Sequence, residues 1–388
     1  MADLSKLRSA FAELSSAKPR LFSAPGRVNL IGEHTDYNEG FVLPIGASLR
    51  TYVAAALRED GQVRVLSLDL NEASAFRLDR RANTSEAKTP SWANYGEGII
   101  RQLIAAGLEC GGADLAVSSE VPIGAGLSSS AAFEISIGFA LSKLAGFNID
   151  PLDLALAARE AEHIYVGTNS GLMDQLTSVF AIKEYAMLID CRSNEVTQIP
   201  MGLPNATMVV CNTNVKHALV DSAYNQRRRE CESAVRLLRE KRTELQSLRD
   251  LDISELDLVE ELPEPERRRA RHVVTENHRT LQAAGMLHKR DVAGLGRLMM
   301  QSHESLRDDY EVSCPELDVL FELARNHEGV AGARMMGGGF GGCTVNLVEN
   351  DHLESFTARL SDGYQRQTDL APAIYVIHAD EGVRELIC

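Results

Sequence analysis

The sequence lacks a C-x-x-C pair, an apolar run of 18 residues and an apolar segment near its start. Each absence removes a class of protein. Seven cysteines lie scattered through 388 residues (Cys110, Cys191, Cys211, Cys231, Cys314, Cys343 and Cys388). An odd and dispersed set fits reduced thiols better than a disulfide framework, so a cytoplasmic protein is expected. Without a long apolar run or a leader-like start, no membrane partner is expected. Positive charge is also short. Forty Lys and Arg against 55 Asp and Glu leave a net charge of −15, which argues against a nucleic-acid partner. It does not exclude an anionic ligand, because backbone N–H groups hold phosphate without a basic surface. A monomer acting on a small molecule is the expectation.

Familiar catalytic motifs are missing too. No glycine is followed by lysine, so there is no G-x-x-x-x-G-K-[ST] loop; H-R-D, D-F-G, H-E-x-x-H and G-x-S-x-G are absent as well. Gly337 to Gly342 contains a G-x-G-x-x-G match, but it lies late in the chain between two strand-like runs. No helix follows it within a βαβ unit, so it reads as a tight turn rather than a dinucleotide fingerprint.

The length implies two domains. Thr51–Leu57 and Gln62–Asp69 are β-rich and joined through Glu59-Asp60-Gly61, which predicts a hairpin. A helix is expected from Trp92 to Ala106, a strand over Asp114–Glu120, and a helix of small residues over Ser128–Leu144. Asp150-Pro151 reads as a cap with proline at the first helical position. Tyr185–Asp190 and Ala206–Asn212 read as strands. From Ser222 to about His278 the chain is charge-dense and helical; the triplets Arg227–Arg229 and Arg267–Arg269 read as solvated faces partnered by Glu230, Glu232 and Glu266. Helices near Val292–Ser302 and Glu316–Asn326, then strands at Gly332–Met335, Cys343–Val348 and Ile374–His378, suggest a second α+β domain. We place the division at 1–195 and 196–388, approximately.

Two segments carry chemistry. In Pro122–Ala131 (PIGAGLSSSA), a strand precedes a glycine turn and a helix of small residues follows. Such a turn approaches a ligand closely, the helix start offers free N–H groups, and serine hydroxyls can bind phosphate or Mg²⁺. The same pattern also serves as an ordinary structural connection. In Gly26–Asn38 (GRVNLIGEHTDYN), an arginine, two carboxylates, a histidine and two asparagines fall within thirteen residues. A sugar needs that mixture of short donors and acceptors. A polar surface loop is the plainer alternative, against which Val28, Leu30 and Ile31 argue burial.

Taken together the motifs resemble a family. Gly26–Asn38 with Gly40, Val42, Leu43 and Pro44 is similar to the galactokinase signature. Pro122–Ala131 resembles the second motif of the GHMP kinases, and Arg334–Cys343 (RMMGGGFGGC) the third. Met336 stands where many relatives have threonine. The resemblance implies an α+β, two-domain fold, with a ribosomal-protein-S5-like N-terminal domain and a ferredoxin-like C-terminal domain. It also implies transfer of the ATP γ-phosphoryl group to the C1 hydroxyl of D-galactose, with Mg²⁺.

The resemblance assigns roles residue by residue. Asp174 is the expected catalytic carboxylate, and Arg27 stands between it and the phosphates. Glu33, His34, Thr35, Asp36, Gly171 and Tyr224 are expected to bind the sugar. Gly124, Ala125, Gly126, Leu127, Ser128, Ser129 and Ser130 are expected around the ATP phosphates, with Ser67 and Trp92 near the nucleotide. Ser130 and Glu162 are the expected Mg²⁺ ligands. Singly, such residues are more often caps, turn formers or core anchors; the motifs join them. Another sugar kinase of the superfamily, a non-catalytic galactose sensor and a mevalonate-type kinase are the alternatives. The intact Ser128–Ser130 and Asp174 argue against the sensor, and the complete Glu-His-Thr-Asp loop against the mevalonate type.

Overall fold

A computed structural model describes residues 3–79, 92–216 and 220–387. In chain order the strands are β1 (Arg20–Asn29), β2 (Phe41–Val42), β3 (Pro44–Leu57), β4 (Gln62–Ser67), β5 (Glu72–Arg77), β6 (Ala113–Ser119), β7 (Tyr185–Asp190), β8 (Glu195–Pro200), β9 (Ala206–Lys216), β10 (Val330–Met336), β11 (Gly341–Glu349), β12 (Ala373–Ile377) and β13 (Arg384–Leu386). The helices are α1 (Leu4–Leu14), α2 (Trp92–Ala105), α3 (Ser129–Ala145), α4 (Pro151–Ala161), α5 (Met173–Phe180), α6 (Val220–Leu238), α7 (Leu256–Glu260), α8 (Glu266–Lys289), α9 (Val292–Asp308), α10 (Pro315–Arg325) and α11 (Leu353–Thr368).

Six strands form the first sheet, in the order β13-β1-β3-β6-β4-β5. The expected hairpin between β3 and β4 does not exist. Strand β6 lies between them, antiparallel to β3 and parallel to β4. A buried charge accounts for this. Asp114, at the start of β6, is 2% exposed and receives Arg58 from the end of β3 and Arg64 from β4. Pairing β3 directly with β4 would leave that carboxylate without its two guanidinium partners. The real hairpin is β4–β5.

The small-residue helix α3 packs on this sheet and carries Gly138, where a Cβ would stand 2.8 Å from Leu154 Cδ1. It stops at Gly146, in the left-handed conformation. As expected, Asp150 caps α4, accepting from Leu152 N at 2.8 Å, with Pro151 in the first turn.

The second sheet runs β10-β11-β9-β12, antiparallel throughout. Helices separate β9 from β10 and β11 from β12, which is the expected ferredoxin-like βαββαβ path. A small third sheet, β2-β7-β8, bridges the halves. Strand β8 begins at Glu195 and pairs with β7, so a cut at 195/196 would divide it from its hairpin partner. Strand β13 returns to pair with β1. One apolar core unites the halves: Val28, Leu30 and Ile45 pack together with Val210, Leu295 and Val345, all fully buried. Each such side chain contributes roughly 2 kcal/mol on leaving water.

The arginine triplets need correction. Arg228 does pair with Glu232, four residues on, at 3.2 Å. Arg227 and Arg269, however, are buried: Arg227 Nε donates to Tyr310 O at 2.7 Å, and Arg269 meets Glu230 at 2.6 Å and Glu311 at 2.7 Å. Glu264, not Glu266, holds Arg267 and Arg268. One arginine of each triplet therefore fastens α6 or α8 to the turn after α9.

Candidate active site

Asp174 lies in the first turn of α5 and is held from two sides. Arg27 of β1 places its Nε 2.9 Å from Asp174 Oδ1, an ion pair lacking the alignment of a hydrogen bond. A second guanidinium nitrogen of Arg27 donates to Gly126 O. Ser128 donates through Oγ to Asp174 Oδ2 at 2.5 Å. Its backbone is left-handed (φ 58°), which turns the side chain towards Asp174 at the start of α3. Ser128 thus has a partner in the carboxylate as well as a place beside the expected phosphates.

Two cavities meet at this pair. The larger, about 780 Å³, is lined by Gly124, Gly126, Ser128–Ser130, Ser67 and Trp92. The smaller, about 240 Å³, is lined by Glu33, His34, Asp36, Glu162, Gly171 and Tyr224. Arg27, Ser130 and Asp174 line both. Ala125 and Leu127 turn their side chains into the shared core, so only their backbone belongs to the turn.

The glycines make the larger cavity possible. Gly124 and Gly126 have φ of 72° and 74°, and Gly337 of 80°. A Cβ on Gly337 would lie 3.2 Å from Gly126 Cα, so the third motif is a β10–β11 turn pressed against the second. That is the tight-turn reading of the G-x-G-x-x-G match. Trp92 donates to Glu72 at 2.6 Å and meets Phe133 edge-on.

The smaller cavity is built from side chains with support behind them. Glu33 Oε1 accepts from Gly337 N at 2.8 Å and lies 3.3 Å from the fully buried Arg334. Asp36 sits over Gly171, where a Cβ would come within 2.0 Å of Asp36 Oδ2. Burial and the neighbouring Asp174 charge push the Asp36 carboxyl up to about 6. His34 is 4% exposed; burial, then His272 and Arg227, bring it down to about 3, so the ring is neutral. Its Nε2 has no hydrogen-bond partner.

Thr35 departs from expectation. It is fully buried and lines neither cavity; its hydroxyl lies 2.9 Å from Gly32 O and 2.7 Å from Phe41 O. It closes the loop that carries the other three rather than facing a ligand.

Ser130 and Glu162 come together although they lie on different elements. Glu162 opens a π-helical turn after α4 and is 5% exposed. Its Oε2 accepts from Ser170 Oγ at 2.6 Å, and the Ser130 hydroxyl is within hydrogen-bonding reach. Burial raises its pKa. Glu134, one turn beyond Ser130, is fully buried with neither carboxyl oxygen hydrogen-bonded, and burial and the Glu162 charge raise it well above its usual range. The Glu162 carboxyl beside the Ser130 hydroxyl gives oxygen donors of the kind that a hard divalent cation takes.

Other contributors are invisible in the motifs. Tyr95 lines both cavities one helical turn after Trp92; that i, i+3 spacing was the available signal. Glu276 of α8 accepts from Gly32 N at 3.0 Å and Ser302 Oγ at 2.5 Å. Burial alone would raise it, but the Arg279 and His272 charges bring it down to about 2. No local signal marks it, since it lies 244 residues from the loop it holds.

The chain matches three family models: the galactokinase galactose-binding signature over residues 9–57, the GHMP kinases N terminal domain over 94–181 and the GHMP kinases C terminal over 283–366. It is 45% identical to a galactokinase of Roseiflexus sp. (strain RS-1), over 99% of this chain and 97% of that one. It is 44% identical to the galactokinase of Canis lupus familiaris, over 99% and 96%. Among solved structures, Lactococcus lactis galactokinase complexed with galactose superposes with a TM-score of 0.93, at 36% identity, covering 99% of this chain and 100% of that one. Methanococcus jannaschii mevalonate kinase, at 17% identity and a TM-score of 0.68 over 94% and 99% of the two chains, shares the fold.

Proposed function

The chain belongs to the galactokinase family of GHMP kinases, and from that premise we propose how it moves the γ-phosphoryl group of ATP to the C1 hydroxyl of D-galactose, giving galactose 1-phosphate and ADP. One observation carries the reading: a glycine-rimmed cleft and a small polar cavity meet at the Arg27–Asp174 pair. A donor phosphate in the cleft and a sugar hydroxyl in the cavity would face each other there.

Phosphoryl transfer asks a protein mainly for positioning and for charge placed where charge develops. Asp174 receives the proton of the C1 hydroxyl, and Arg27 supports the carboxylate while its positive charge faces the transferred group. Ser128 holds the second carboxylate oxygen. The turn at Gly124–Ser130 offers backbone N–H groups and hydroxyls to the phosphates. Ser130 and Glu162 are the residues that would hold Mg²⁺, which supplies charge neutralisation at the phosphate oxygens. Glu33, His34, Asp36 and Tyr224 surround the sugar, and Gly171 gives Asp36 its room. Ser67 and Trp92 border the nucleotide's far end.

No described helix is long and apolar enough to cross a membrane. A monomeric, cytoplasmic enzyme is part of the proposal, and the scattered free cysteines support the cytoplasm; Cys388 lies outside the described residues. We propose the domain division after Pro200, where the β7–β8 hairpin ends.

Asp174→Asn tests the centre of this account. The change keeps size and removes the charge, so ATP binding and the fold should persist while kcat falls by roughly 100-fold or more. A folded variant with wild-type kcat would remove Asp174 from the chemistry.

A further inference from the structure

We propose that His272, Glu276 and Asn277 of α8 are positioning residues that set the sugar selectivity of the small cavity. They do so by holding the backbone of the Gly32–Phe41 loop from behind, at both ends. The inference rests on the sugar-binding reading of that cavity and adds the residues, in the other half of the chain, that fix its geometry.

Three hydrogen bonds make the clamp. Glu276 Oε1 accepts from Gly32 N at 3.0 Å, His272 Nε2 donates to Glu33 O at 3.1 Å, and Asn277 Oδ1 accepts from Phe41 N at 2.9 Å. Each direction follows from the backbone group, since an N–H only donates and a carbonyl only accepts. His272 and Glu276 are fully buried and one helical turn apart; Asn277 is 6% exposed. Thr35, inside the loop, has its hydroxyl between Gly32 O and Phe41 O, so the two held ends are also tied to each other.

Apolar packing would seat a loop without charged or amide groups. A buried carboxylate is costly unless its oxygens are paired. Those of Glu276 are: Oε1 also accepts from Ser302 of α9 at 2.5 Å, and Oε2 accepts from Arg279 at 2.7 Å. Asn277 is less well served, for its Nδ2 is buried with no hydrogen-bond partner among the described residues. The other half of the amide, which holds Phe41 N, accounts for an asparagine there. Gly40 leaves it room, because a Cβ on Gly40 would collide with Asn277 Oδ1.

What such directed bonds add over packing is register. Backbone groups of residues 32, 33 and 41 are engaged by α8, while the side chains of Glu33, His34 and Asp36 line the cavity. A loop free to shift slightly would still bind a sugar. It would no longer separate a well-placed hydroxyl from a misplaced one.

Two measurements on the full chain test the clamp. Asn277→Ala removes one anchor, and the ratio of kcat/KM for galactose to that for glucose should fall about tenfold, with the ATP KM unchanged. That is the scale of one hydrogen bond to a buried group. The ratio does not depend on how much of a preparation is folded, so plain destabilisation leaves it in place. Hydrogen exchange at the Phe41 amide of the ligand-free protein should quicken in the same variant. Glu276→Gln offers one oxygen instead of two, so either Gly32 N–H or Arg279 meets an NH₂, and a larger fall is expected. Should that variant not fold, Asn277→Ala carries the test. His272→Gln keeps an N–H near the place of Nε2 and should hold the ratio better than His272→Phe, which has none. Wild-type ratios in folded Asn277→Ala and His272→Phe would overturn the proposal, as would unchanged exchange at Phe41 or an equal rise in the ATP KM. A wild type indifferent between the two sugars would refute the sugar-binding reading and the proposal with it; a selective wild type with equally selective variants refutes the clamp alone.

Discussion

The two cavities are made differently. On the nucleotide side, the part expected at the phosphates is made of two glycine turns: the turn at Gly124–Ser130 and the Gly337 turn pressed against it are each continuous in sequence. The sugar side is built of side chains whose partners lie far away. Glu33 is held by Gly337 and Arg334, Asp36 needs the space above Gly171, and the loop's Gly32 hangs from Glu276. Phosphates can be bound by N–H groups that any tight turn supplies. Distinguishing one hydroxyl pattern from another requires fixed side chains, and those require a second layer. The sugar side should therefore be the more fragile of the two.

The sharpest way to break the comparison is Gly171→Ala. The new Cβ would overlap Asp36 Oδ2, and the carboxylate must swing away. Loss of about 100-fold in kcat/KM for galactose is expected, the scale of a misplaced positioning group, with the ATP KM little changed. An equal loss for both substrates in steady-state kinetics would mean that the two cavities are not separable.

Acid offers a milder probe. Asp36 titrates near 6, above its usual range, because of burial and the Asp174 charge. Below that pH it carries a proton and stops acting as a pure acceptor. Galactose kcat/KM should therefore fall about tenfold for each pH unit below 6, with Asp36→Asn removing this limb of the profile. A wild-type profile flat from pH 7 down to 5 would contradict the role given to Asp36.

The smallest effect is expected on the nucleotide side. Trp92→Ala removes an aromatic that borders the larger cleft and pairs with Phe133. A rise of about fivefold in the ATP KM, near 1 kcal/mol, with no change for galactose, is the expected result in initial-rate measurements. A larger galactose effect would show that Trp92 belongs to the other cavity.

How much of this could be read in the sequence follows the same division. The glycine turns, the capped helix at Asp150 and the strand Tyr185–Asp190 depend on neighbours in the chain, and the structure has them where local pattern puts them. The ferredoxin-like sheet was legible through the family motifs rather than through spacing. The hairpin at Glu59–Gly61 was misread because strand order depends on a non-local fact, the two arginines that Asp114 requires. The arginine triplets were misread for the same reason, since which of three charges is buried depends on how α6 and α8 meet the turn after α9. Thr35 carries the right chemistry for a sugar contact, and only the fold shows that its hydroxyl is already engaged. Arg334 lies within a motif, and its role shows only in the fold, where it meets Glu33 and the Asn29 carbonyl.

The central claim is that a side-chain cavity recognising one hydroxyl pattern delivers a sugar to Asp174. Galactose and glucose differ only at C4, so the ratio of their kcat/KM values with ATP tests it most directly. A site built to hydrogen-bond a hydroxyl leaves its own buried groups unpaired when that hydroxyl is misplaced. The account predicts a preference for galactose on the order of 1,000-fold or more, with phosphate appearing on C1 of the product. Comparable turnover of the two sugars would contradict it.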